Sequence, residues 1–124
     1  MRIKPIKLNI LGSMWSVIGK SAEEDKRLRG LSGMTDFSVR EIVITDAPTE
    51  EYTIVDQHED MQRTIRHELI HAFLAESGLW VNSGQVENWA MNEEMVDWLA
   101  LQLPKIHATM AAANALPGMR LVMD

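Results

Sequence analysis

His67-Glu68-Leu69-Ile70-His71 puts two imidazoles and a carboxylate within five consecutive residues. They lie inside a segment, Asp56 to Ser77, where Met61, Ile65, Leu69, Ala72 and Phe73 recur at helical spacing, and Gly78 follows as a left-handed stop. On a helix, residues four apart sit about 40° from each other around the axis and one turn apart along it. Imidazoles at 67 and 71 therefore reach a common point, beside the apolar stripe instead of on a fully solvated face. A divalent cation, zinc first, is the ligand that such a pair serves. Glu68 does not ligate in this geometry. It is placed to take a proton from a water activated by the metal, which makes it the candidate general base.

Zinc at a reactive site takes three protein ligands and leaves one position open. The pattern that continues with a glycine three residues and a histidine six residues after the second His is excluded, because Leu74 and Ser77 occupy those positions. A carboxylate from the next helix is the other solution. That helix is expected over Asn92 to Leu103, with Val96, Leu99, Ala100 and Leu103 on one inward stripe. At about 100° per residue, Glu93 falls roughly 70° from the centre of that stripe, Asp97 roughly 110° and Glu94 roughly 170°. Glu93 is thus the expected third metal ligand and Glu94 the one that faces water. Asp97, one turn on, is expected to accept the spare ring N–H of a ligating histidine and so hold its tautomer. Taken alone, these carboxylates read equally well as an acidic helix N-terminus favoured by the macrodipole. Pro104 either ends this helix or begins a third one through Ala115.

Before the metal segment the periodicity is that of strands. Ile6, Leu8 and Ile10 alternate with Lys7 and Asn9, and alternation resumes at Trp15 and Val17 after Gly12-Ser13, as in a hairpin with a Gly-first tight turn. Residues 19–30 carry charges of both signs between glycines and read as a solvated loop or short exposed helix. Val39-Arg40-Glu41-Ile42-Val43-Ile44 reads as a further strand, possible only up to Asp46-Ala47-Pro48, where proline ends the ladder. Residues 79–92, with Trp80 and Trp89 at either end, read as a connecting loop. Strands followed by helices place the chain in the α+β class.

At 124 residues the chain has the size of one domain, and 46% hydrophobic with 24% charged residues is an ordinary globular mix. A formal charge of −6, from 18 acidic against 12 basic residues, disfavours nucleic acid as a direct partner. With no cysteine, thiolate ligands, disulfides and Cys nucleophiles are excluded together. The lysine-interrupted N-terminus does not read as an export signal, and no stretch approaches the ~20 apolar residues of a membrane span, so a cytoplasmic location is expected.

These residues resemble the gluzincins, whose metal helix carries His-Glu-x-x-His and whose following helix carries Glu-x-x-x-Asp, here His67 to His71 and Glu93 with Asp97. More narrowly, the chain is similar over residues 57–104 to the ImmA/IrrE-like peptidase family of bacterial mobile elements and phages, in the stretch Glu93 to Pro104 with its Leu-Pro ending. Val96 and Leu99 stand where that family often has Ala and Phe. The resemblance implies a minimal zincin-like fold, with a small antiparallel sheet packed on the two site helices, and zinc-dependent hydrolysis of a peptide or protein substrate. An alternative, motivated by a chain too small to offer much wall for a long substrate cleft, is a non-proteolytic, metal-stabilised module that binds a partner such as a transcriptional regulator. A third reading, an accidental motif, predicts no stoichiometric metal.

Among the remaining candidates, His58 is about half a turn out of phase with His67 and is expected to be solvated at the helix start. His107 depends on folding that spacing does not reveal. Tyr52 is the sole tyrosine and so the one phenol available to stabilise an oxyanion. Trp80, Trp89 and Trp98 are expected in the core or a cleft wall.

Overall fold

Strand β1 (Ile6–Ile10) pairs antiparallel with β2 (Ser13–Lys20) in the register Ile6↔Val17 to Ile10↔Ser13. This computed structural model describes residues 2–46, 56–82 and 93–124. The hairpin loop is Leu11-Gly12, with φ of 51° and 95°, where a turn on Gly12-Ser13 was expected. Two successive positive φ values make a type I′ turn, whose twist matches that of the flanking strands. Asn9 Oδ1 accepts from the Gly12 N–H at 2.8 Å and holds the turn.

β3 (Gly33–Asp36) and β4 (Glu41–Thr45) form a second hairpin, with Gly33 opposite Ile44 and Asp36 opposite Glu41. Val39 and Arg40 belong to its turn, so the strand starts two residues later than alternation suggested. The sheet order is β1-β2-β4-β3, and β2 runs parallel to β4, so the sheet is mixed and not wholly antiparallel as expected. The reason lies in β4: Ile42, Val43 and Ile44 are all fully buried. A strand apolar on both faces is stable only inside a sheet covered on both sides. β4 lies between β2 and β3, so both of its edges are paired, and β3, half-buried throughout, is left at the rim. Nor is 19–30 wholly solvated: Gly19 and Lys20 close β2, and a 3-10 turn at Lys26–Leu28, capped by Asp25, buries Leu28 completely.

Helix α1 (Gln57–Glu76) has the expected bounds. Asp56 caps its first turn by accepting from the Glu59 N–H at 3.0 Å, and Gly78, φ 83°, ends it in the left-handed region. Ile65, Leu69, Ala72 and Phe73 enter a core cluster with Leu8, Ile10, Trp15, Val17, Ile42 and Ile44 of the sheet. A short helix α2 (Leu79–Asn82) follows where a loop was expected. Trp89 and Tyr52 lie outside the described residues.

Helix α3 (Glu93–Ala112) is continuous, with Pro104 inside it. Proline removes the bond to the carbonyl of Ala100, but both residues are exposed and water can satisfy that carbonyl. The face that packs is also not the expected one. Leu99 and Leu103 are 40% and 55% exposed, while Trp98, Ile106 and Met110 join the core cluster. At about 100° per residue the packed face is turned roughly a quarter revolution from the expected stripe. Among the described residues no helix is long and apolar enough to cross a membrane.

Candidate metal centre

Among the described residues, one helix, α1, supplies the whole metal-competent group. His67 and His71 leave α1 one turn apart, with ring centroids 4.9 Å apart and their Nε2 atoms 3.2 Å from each other. Two nitrogens bound to one zinc at ~2.0–2.1 Å with a tetrahedral angle lie about 3.3 Å apart. The rings therefore already stand at a chelating separation, which also admits a hydrogen bond between them in one tautomer. Ligating atoms of His67, Glu68 and His71 all lie within 4.8 Å of one another, a group able to hold a metal ion.

Glu68 is 6% exposed, and its Oε2 stands 3.9 Å from His67 Nε2. Its other oxygen is held from below. Thr35 on β3 has its hydroxyl 3.0 Å from Glu68 Oε1 and 3.0 Å from the Glu68 carbonyl. A hydroxyl carries one proton, so it divides between two acceptors on the same residue. Glycine at 33 is what allows β3 to come this close. A Cβ there would meet Thr64 Cγ2 at 2.6 Å and Glu68 Cγ at 3.3 Å.

Two open depressions flank the histidine pair. On the Glu68 side, about 350 Å³ is lined by polar groups, with Ser32, Gly33, Asp60, Arg63 and Thr64 beside His67 and Glu68. Arg63 donates to Asp60 Oδ1 at 3.0 Å within it. On the other side, about 250 Å³ is lined by His71, Leu74, Leu79, Trp80 and Met95. Trp80 is thus a cleft wall, 5.8 Å from the His71 ring and 5.4 Å from that of Phe37.

The residues expected from α3 are not in the group. Glu93 and Asp97 are both exposed, as is Glu94, and among the described residues the metal-competent group stops at His67, Glu68 and His71. The angular argument for Glu93 and Asp97 started from a stripe that does not face the core, so it loses its footing here. His71 Nδ1 is buried and has no hydrogen-bond partner among the described residues, so Asp97 does not hold it.

His58 faces away from the centre as expected but is half-buried, not solvated: its Nε2 accepts from the Leu121 N–H at 3.1 Å and pins the C-terminal segment. His107 is exposed on α3. Thr35 and Gly33 were missed by sequence reasoning, and no periodicity marks them, since their role comes from a contact more than thirty residues away along the chain. No family model, curated protein or solved structure matches this chain.

Proposed function

We propose that this protein is a zinc-dependent hydrolase of peptide bonds, with a minimal zincin-like arrangement of sheet and helices. The observation that carries the reading is the 3.2 Å separation of His67 and His71 Nε2 beside a buried, tethered Glu68. Zinc held by His67 and His71 would act as a Lewis acid on a carbonyl and acidify a water. Glu68 would be the group that accepts the proton released by that water. It then delivers the proton to the amine nitrogen as the C–N bond breaks. Thr35 fixes the carboxylate while this happens; the family resemblance names Glu93 as third ligand, and to serve it would have to turn in from its exposed position on α3. A peptide suits the site better than a small molecule because β3 is a rim strand of the sheet and lines the polar depression through Gly33.

A second reading follows from the exposure of Glu93. Here Glu68 is itself the third ligand, the centre is a structural pin, and the protein is a non-proteolytic, metal-stabilised regulatory module that binds a partner protein. Glu68→Gln separates the two. Under the hydrolase reading the variant keeps one zinc per chain and loses cleavage of peptide or protein substrates. Under the structural reading it loses zinc as well. If wild type, purified with zinc and no chelator, holds no stoichiometric metal, both readings end.

A further inference from the structure

The two depressions beside the histidine pair differ in chemistry, and neither is accounted for by the metal. One is lined by Asp60, Arg63, Ser32 and Thr64, the other by Leu74, Leu79, Trp80 and Met95 around His71. A chain crossing the centre has one flank in each. Apolar walls reward removal of an apolar side chain from water and penalise a charge that finds no partner there. The opposite depression, with the Asp60–Arg63 ion pair inside it, keeps a polar neighbour hydrated and paired.

We infer that the centre selects peptides by direction: an apolar side chain such as Leu or Phe seats against His71 between Leu74, Leu79 and Trp80, and a polar residue lies on the Glu68 side. The inference rests on the proposed hydrolase reading and adds its substrate class. His71 is shared by the centre and the apolar wall, so a side chain seated there belongs to the residue bordering the reacting carbonyl. Trp80 has a defined place in this wall. It is braced edge-on by Phe37, which in turn packs edge-on against buried Trp15 at 5.5 Å. The specificity wall is therefore anchored to the sheet, not left to the short helix α2 alone.

The test uses zinc-loaded full-length protein and short peptide hydroxamates, which bind zinc without being turned over. One series carries Leu, Gly or Asp on one side of the hydroxamate, and a second carries the same residues on the other side. The expected result is a preference for Leu over Gly and Asp of roughly tenfold or more, in one series only. Trp80→Ala and, separately, Leu79→Ala should each reduce that preference to within about threefold, read as the Leu-to-Gly affinity ratio in zinc-loaded protein. Two variants guard against one that fails to fold. Zinc bound with equal affinity for Leu and Asp in both series overturns the directional inference and leaves the metal reading intact. Absence of bound zinc overturns the metal reading, and the inference with it.

Discussion

Thr35 on the rim strand and Glu68 on α1 are joined through one hydroxyl, 3.0 Å from both the carboxylate Oε1 and the main-chain carbonyl of the same glutamate. The sheet and α1 thus meet at the group proposed to move the proton. Thr35→Val keeps the shape and removes the donor. Hydrogen bonds to charged groups are worth about 1.5–3 kcal/mol. The variant should lose stability in urea at the lower end of that range or below, because the donor is shared. It should also lower kcat with zinc content unchanged. Full activity in Thr35→Val would mean that the contact does not position Glu68.

Gly33 permits that contact, so its replacement should disturb it. A methyl at 33 overlaps the branched side chain of Thr64 at 2.6 Å, and β3 must retreat from α1 to relieve it. Overpacking of this kind costs about 1–3 kcal/mol. Gly33→Ala is expected to fall in that range by denaturant titration, and Gly33→Ala combined with Thr64→Ser to recover part of the loss. No recovery in the double variant would show that Thr64 is not the obstacle.

Metal binding should raise thermal stability through the two histidines. A ligand that binds only the folded state at a hundredfold over its Kd adds about 2.7 kcal/mol. Zinc titration should therefore raise the Tm of wild type by several degrees and leave His67→Ala and His71→Ala unmoved. Glu93→Gln and Glu94→Gln, measured alongside, decide the third ligand: weaker zinc binding is expected for the first alone. Equal binding in both variants removes Glu93 from the coordination set.

Acid should unfold the protein through the Arg27 cluster. Arg27 bonds Asp25 at 2.7 Å, Asp36 at 2.8 Å and Glu41 at 3.0 Å, tying the 3-10 turn to both strands of the second hairpin. The Asp25 carboxyl is held below its ordinary value by Arg27, and that of Asp36 by the Ser38 hydroxyl and then Arg27. A carboxylate lowered on folding adds stability that is complete above its unfolded value, about 3.9. That stability drains away as pH falls through the lowered folded value. Circular dichroism from pH 7 down to about pH 2 should show the loss below the ordinary carboxylate range. Arg27→Met should shift the acid limb to higher pH, and an unshifted limb would assign acid unfolding to other groups.

A second glycine gives a prediction remote from the centre. A Cβ at Gly19 would lie 1.8 Å from Asp46 Oδ2, the atom that accepts from the Ile3 N–H at 3.0 Å. Gly19→Ala should cost about 1–3 kcal/mol without altering zinc content. Wild-type stability in this variant would show that Asp46 has room to turn aside.

What could be read from residue order alone was whatever a single turn of backbone settles. His67 and His71 face one point because a helix advances about 100° per residue. The bounds of α1 were legible in Asp56 and Gly78, and the first hairpin in the alternation of Ile6, Leu8 and Ile10. The insertion of β4 beside β2, the approach of Thr35 to Glu68 and the face that α3 presents were settled only by tertiary structure. α3 shows why: Leu99, Leu101 and Leu103 stand exposed while Trp98 and Ile106 turn inward. A helix apolar on most sides carries no internal instruction about which side to bury. That choice falls to the surfaces available elsewhere in the chain, which periodicity within the helix cannot encode.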